Sequence, residues 1–317
     1  MSEDYGLEFN SKSLALLKEL SLSQSRLQER RACELSELAY RMSEDFLSFL
    51  QSGMGILEVF FVMSGGASLS ESECHPDALS SSREFLTHYL SLLSGLDGAL
   101  ISRLLISRLS EKGINVTERD LLSGGAIPET FVYVKNAFAD EAYDVFSQDF
   151  KDPRVKYCKD FKEGLSMVAS GEVGYCLLPL EDSGSRIQSV QELIFKGDFR
   201  IGAVTPVFGF DGTADMIYCL ACADYHYPDF SLEDDRYLEL RVSRESDTAL
   251  SHILTVSESF GHLVYRVNSV KLVTEDGERS YYSVLLRDGG EGFVTLLAYL
   301  LLFSEDCTPL GIYKNLE

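Results

Sequence analysis

The sequence predicts a multidomain α+β protein of three units. They are an N-terminal helical bundle over residues 1–122, a central α/β lobe over 130–230 and a C-terminal βαββαβ unit over 235–317. One change of hydrophobic period and one change of element order carry this reading. From Leu14 to about Lys112 the apolar positions recur at helical spacing, with Leu35, Leu38, Met42, Phe46 and Phe49 on one stripe and Leu93, Leu100, Leu104 and Leu109 near the far end. Between these stretches SGGASLSESECHPDALSSS (64–82) is a polar connector that lets the second fold back on the first, with Asp77 or a following serine as helix cap. The tract SGGAIPET (123–130) joins Gly-Gly to a proline, and after it the period changes, so a domain boundary is placed there.

Beyond it, TFVYVK (130–135), VKYCKD (155–160), YCLLPL (175–180) and RIGAVTPV (200–207) read as strands. AFADEAYDVFSQDF (137–150), FKEGLSMVASG (161–171) and IQSVQELIFKG (187–197) read as the helices between them. Alternating strands and helices imply crossovers and a mainly parallel sheet covered on both faces. One more strand lies in MIYCLACADYHYPDFSLEDD (216–235). From residue 237 the order is YLELRVS, helix TALSHILTVSESFG, LVYRVNSVKLV, RSYYSVLLRD, helix EGFVTLLAYLLLFS and CTPLGIYKN, with EDGE (275–278) turning a hairpin. That is the split arrangement of ferredoxin-like units.

Composition bounds the function. Fifty acidic against twenty-eight basic residues give a net charge of −22, which repels phosphate backbones and anionic lipid surfaces, so neither nucleic acid nor membrane is an expected partner. Seven scattered cysteines read as reduced thiols, and the acidic start MSEDYGLEFNSKS lacks the regions of a signal peptide; the expected location is cytoplasmic. No cofactor or metal is expected. Cys219 and Cys222, three apart in a strand, point to opposite faces, and the histidines at 75, 88, 226, 252 and 262 form no ligand or triad grouping. His262 reads as a surface or interface residue, and GGEG (289–292) as a tight loop before a helix.

Glu181, Asp182 and Ser183 stand at the carboxyl end of a predicted parallel strand, where open α/β sheets bind ligands. Arg186 is the nearby positive charge for a carboxylate. The other reading of this segment is a helix-opening turn capped by Ser183 or Asp182.

The run VASGEVGYCLLPLEDS (168–183) resembles the signature of prephenate dehydratases, a Ser-Gly-Glu followed by a strand ending in Pro-Ile-Glu-Asn-Ser. VYVKNAFADEA (132–142) resembles the family's opening strand and Gly-Thr-Phe loop, and FRIGAV (199–204) a later strand. GHLVYRVNS (261–269) and LGIY (310–313) resemble segments of the ACT regulatory domain that these enzymes carry, and the order of units resembles bifunctional chorismate mutase–prephenate dehydratase. The resemblance implies a two-lobed, periplasmic-binding-protein-like catalytic unit. It makes Glu181, Ser183 and Arg236 the catalytic candidates and Asn136, Phe138, Asp182 and Arg186 substrate-binding positions. It makes Thr248, Ala249, Leu250, Asn268 and Ser269 effector-binding positions, with phenylalanine as effector and a homodimer formed through the ACT unit. For the helical unit it implies a mutase relic, whose candidate cations are Arg26, Arg30, Arg41, Arg83 and either Arg103 or Arg108.

The departures are chemical. Asn136-Ala137-Phe138 replaces Gly-Thr-Phe and removes a hydroxyl donor; Asp182 replaces an amide by a carboxylate, which repels a dicarboxylate substrate. Between Val204 and Arg236 too little chain remains for a full second lobe, which is expected to be missing or stunted. Two readings follow. One is a dimeric ligand-sensing or regulatory protein of this lineage, linked to phenylalanine biosynthesis, with a degraded catalytic site. The alternative is an active prephenate dehydratase forming phenylpyruvate, with or without chorismate mutase activity.

Overall fold

The computed structural model describes residues 4–64, 95–122, 124–208, 214–226, 230, 234–244, 249–274, 277–304 and 306–314. The predicted connector over 64–82, its cap at Asp77, and Arg83 lie outside these residues apart from Ser64. Helix α1 (Asp4–Gln51) is followed by α2 (Ile56–Met63), α3 (Gly95–Glu111) and α4 (Glu118–Leu121). Met42 and Phe46 of α1 pack with Phe60 of α2 and with Ile101, Leu105 and Leu109 of α3, each side chain fully or nearly fully buried. The same core continues without a break into the C-terminal unit, through Val242, Ile253, Val284, Phe293, Leu296 and Leu300.

The α/β unit runs β1 (Thr130–Tyr133), α5 (Ala137–Phe146), β2 (Arg154–Tyr157), α6 (Phe161–Ala169), β3 (Tyr175–Asp182), β4 (Ser185–Arg186), α7 (Gln188–Lys196), β5 (Arg200–Phe208) and β6 (Ala214–Cys222). Its strands lie in the order β2-β1-β3-β6-β5, with β4 beside β3. Strands β1, β2, β3 and β5 run in one direction, and β6 lies between β3 and β5, antiparallel to both. The four strands read from the sequence thus share one direction, and the additional strand β6 is set antiparallel between two of them. Only residues 209–213 connect β5 to β6, far short of the dozen or more residues a parallel crossover needs, so the pair closes as a hairpin. Its sequence is as apolar as a crossover strand because this hairpin too is covered on both faces: Cys219 and Ala221 face one core, Tyr218, Leu220 and Cys222 the other. Cys219 and Cys222 thus lie on opposite faces, and burial pushes the Cys222 thiol up to about 12.

The C-terminal unit runs β7 (Tyr237–Ser243), α8 (Ala249–Ser259), β8 (Leu263–Thr274), β9 (Gly277–Arg287), α9 (Val294–Phe303) and β10 (Cys307–Tyr313). Its antiparallel sheet has the order β10-β7-β9-β8, the split βαββαβ arrangement. Helices α8 and α9 cover one face, together with the N-terminal helices. The other face lies on the α/β unit: Tyr237, Val270, Leu272, Leu285, Leu310 and Tyr313 share a core with Leu180, Val190, Ile194, Phe195 and Ile201.

Where β10 passes over β5 the backbones nearly touch. A Cβ on Gly311 would sit 1.9 Å from the Ile201 carbonyl oxygen, so any side chain there drives the two strands apart. Nearby, the Tyr225 hydroxyl donates to the Pro309 carbonyl at 2.9 Å. Gly311→Ala is accordingly expected to destabilise the fold by about 2–4 kcal/mol, read as a lower urea midpoint; an unchanged midpoint would mean that the strands are free to separate.

Candidate functional site

Strand β3 ends in a hairpin, not in a helix cap. Asp182 pairs with Ser185, and between them Ser183 (φ 49°) and Gly184 (φ 77°) both take positive φ, as a two-residue primed turn requires. The capping alternative for Asp182 and Ser183 is thereby corrected: α7 starts after Ile187, which makes no side-chain cap. Ser183 is exposed, and its hydroxyl donates to the carboxylate of its own neighbour Asp182 at 3.0 Å.

The hairpin carries Glu181 and Arg186 opposite each other and turns both inward. Arg186 Nε lies 3.1 Å from Glu181 Oε1, and its Nη2 lies 3.0 Å from Glu239 Oε2 on β7. All three side chains are at most 3% exposed. Arg266 on β8 adds a second guanidinium, 2.7 Å from Glu181 Oε1. Glu239 is completed by the hydroxyls of Tyr313 (2.5 Å) and Ser283 (2.6 Å), both donating. Burial alone would lower the pKa of Arg186, but Glu239, Tyr313 and Glu181 raise it, so the guanidinium stays charged. Two carboxylates thus balance two guanidiniums between the sheets.

Arg236 lies in a second cluster. Its Nη1 is 3.0 Å from Glu118 Oε2 and its Nε donates to Asp288 Oδ2 at 3.0 Å, with Nη2 also on Asp288. Glu118 opens α4 behind the Thr117 capping box and accepts the Phe293 backbone N–H at 2.5 Å. Burial would raise the Asp288 carboxyl; Arg236 and the N–H groups of Gly290 and Gly292 instead hold it below its ordinary value. His262 is buried beside these groups, against the Phe293 ring at 4.7 Å and with Nδ1 3.8 Å from Asp288 Oδ1. The expectation of a surface histidine is corrected: Gly261 turns with φ 86° and tucks the ring under the GGEG loop.

The remaining predicted positions are dispersed. Asn136 is the N-cap of α5, its Oδ1 accepting from Ala139 N at 3.0 Å, and Phe138 is exposed on the first turn of that helix. Leu250 packs on the helical core, Asn268 is half-buried and Ser269 exposed on β8. Ala249 opens α8, and Thr248 lies outside the described residues. The helical arginines do not converge either: Arg26 is exposed, Arg30 pairs with Glu34, Arg41 with Glu37 and Arg108 with Glu111, and Arg103 donates to the Ser259 carbonyl. Among the described residues no three His, Cys, Asp or Glu side chains gather as a metal site. No described helix is long and apolar enough to cross a membrane.

Glu239, Arg266, Ser283 and Tyr313 were not among the predicted positions. Their signal in the sequence is a charge inside an apolar strand: Glu239 in YLELRVS and Arg266 in LVYRVNS.

No protein-family model and no curated protein matches the chain. Solved structures that resemble it include a prephenate dehydratase from Streptococcus mutans, at TM-score 0.47 and 17% identity over 59% of this chain and 99% of that one. The GqqA quorum-quenching acylase matches at TM-score 0.42 and 18% identity, over 59% of this chain and 95% of that one. A prephenate dehydratase from Arthrobacter aurescens, in complex with L-Phe, matches at TM-score 0.44 and 13% identity, over 59% of this chain and 90% of that one.

Removing Arg186 leaves Glu239 buried without its cation. Arg186→Met is therefore expected to destabilise the protein by about 3–5 kcal/mol in a denaturant titration, and Arg266→Met by less, because Arg266 is a quarter exposed and Glu181 keeps Arg186. A second expectation concerns His262. Burial is the main cause that lowers its pKa, opposed by Asp288, Glu118 and Glu291 and reinforced by Arg236. The unfolded chain takes up this proton near pH 6.5 and the native state resists it, so its stabilising contribution is complete above about pH 6.5 and is lost as pH falls through the native value. The urea midpoint is expected to drop between about pH 7.5 and about pH 5.5, and His262→Gln to flatten that drop.

Proposed function

We propose that this chain is a non-catalytic relative of prephenate dehydratases that senses a small aromatic or dicarboxylate ligand, or regulates a partner enzyme, within aromatic amino-acid metabolism. The observation that carries this reading is the fate of the residues the resemblance assigns to chemistry. Glu181 and Glu239 are balanced by Arg186 and Arg266 at a buried junction, so neither Glu181 nor Arg186 presents a free charge to a substrate. Arg236 is held by Glu118 and Asp288. Ser183 points its hydroxyl at Asp182, on an exposed turn. Dehydration with decarboxylation needs donors gathered around one leaving hydroxyl and shielded from water, and these candidates serve three separate partner sets.

A missing or stunted second lobe would fit the same reading. Residues 223–236 join β6 to β7, and the described residues among them form neither helix nor strand. The C-terminal unit is taken as an ACT-type sensor because its strand order and the LGIY segment (310–313) fit that resemblance. Its effector would lie at Leu250, Asn268 and Ser269, in a homodimer formed through the β8 edge, and the protein is proposed to act in the cytoplasm.

Two measurements on purified protein test this. Incubation with prephenate is expected to yield no phenylpyruvate above the uncatalysed rate; turnover at ordinary enzyme rates would overturn the reading. In a thermal-shift panel of prephenate, chorismate, phenylalanine and tyrosine, at least one compound is expected to raise the melting temperature, since a ligand bound only by the native state must stabilise it. A flat panel would remove the sensing role and leave partner regulation.

A further inference from the structure

Strand β2 is a bare border of the α/β sheet. It pairs with β1 alone, and all four of its residues, Arg154–Tyr157, are exposed. Arg154 and Cys158 donate inward, to the carbonyls of Glu129 and Tyr133 at 3.0 and 3.1 Å. By the alternation of an extended chain, Val155 and Tyr157 therefore turn their N–H and C=O groups outward, where no described strand lies. The two faces of this border differ in chemistry. On the α5 side Val155 and Tyr157 stand beside Phe131 and Tyr133 of β1, and they are 37% and 51% exposed. The Tyr157 ring meets that of Tyr133 edge-on at 5.2 Å, and Lys135 Nζ lies 4.9 Å from it. On the α6 side stand Arg154 and Lys156.

The surrounding charge selects the partner. In a chain of net charge −22, residues 151–162 hold five basic side chains (Lys151, Arg154, Lys156, Lys159 and Lys162) against two acidic ones. Both acids are engaged: Asp152 pairs with Arg154, and Asp160 caps α6. Lys156 pairs with Glu172, while Lys135, Lys151, Lys159 and Lys162 form no ion pair among the described residues. The two pairs that do form are solvated and open to exchange. We propose that this edge takes up an extended segment of a partner protein as an added strand, a segment in which acidic and apolar residues alternate. Its backbone pairs with Val155 and Tyr157, its carboxylates lie along Arg154 and Lys156, and its apolar side chains cover Val155 and Tyr157. The lysines around the strand attract it from a distance. A second copy of β2 does not fit, because pairing two such edges sets Arg154 and Lys156 against like charges. Guarding an edge needs charge only; the uncovered valine and tyrosine add a surface that rewards contact. The proposal is independent of the sensing role.

The probe is a short, capped, fluorescent peptide that alternates glutamate with valine and phenylalanine, added to the full chain. Anisotropy is expected to show saturable binding that weakens as salt is raised and falls at least about tenfold in Arg154→Glu/Lys156→Glu. Both side chains are exposed, so the variant keeps its fold, checked by circular dichroism. Hydrogen exchange separates an added strand from a charged adsorbate. The amides of Val155 and Tyr157 are expected to exchange freely in the chain alone and to be protected in the complex. A peptide N-methylated at its pairing amides is expected to give neither binding nor protection. Equal affinity for the charge-reversed variant, binding without protection of these two amides, or no binding of the peptide overturns the proposal. So does protection of both amides before peptide is added, which assigns the edge to a second copy, or binding of a single-stranded oligonucleotide in the peptide's place.

Discussion

The arrangement of this molecule depends on one buried cation. Arg186 sits between Glu181, its hairpin partner, and Glu239 of the neighbouring sheet, and all three are shut away from water. None of these charges is tolerable alone at that depth, so each is stable only while the two sheets stay together. The apolar contacts around them, Tyr237 and Leu310 against Ile201 and Phe195, supply attraction without direction. The ionic network supplies the direction, since it closes only when β4, β7 and β8 meet in one register.

A similar logic ties the two ends of the chain. Glu118 reaches from the last N-terminal helix to the backbone of Phe293 and the guanidinium of Arg236, so α4 is fixed to the loop that opens α9. The N-terminal helices thereby share the core of the C-terminal sheet, although the α/β unit lies between them in sequence. The C-terminal sheet is enclosed from both sides, by helices on one face and by a second sheet with its α7 helix on the other.

Local pattern made much of this legible. YLELRVS marks Tyr237–Ser243, and the helices around 137–146, 161–169 and 188–196 follow from their periodicity. The direction of β6 was less legible, because an apolar run buried on both faces reads alike in a crossover and in a hairpin. The site was legible only as a list of polar residues. Glu181 and Arg186 stood out, but their partners Glu239, Ser283 and Tyr313 are 53 or more positions from Arg186, and no spacing rule links them. His262 was misplaced for the same reason: what buries it is Phe293 and the loop before it, not its immediate neighbours.

The close approach at Gly311 also bears on solubility. β5 and β10 each end their own sheet, and a terminal strand offers an unsatisfied row of amides and carbonyls to any passing chain. By crossing one over the other, the molecule uses one edge to screen the second, and Gly311 is the point where this shielding becomes close enough to exclude a stranger. Of the two remaining borders, β2 is only four residues long and bears Arg154 and Lys156, the kind of short, charged margin that discourages fibrillar stacking.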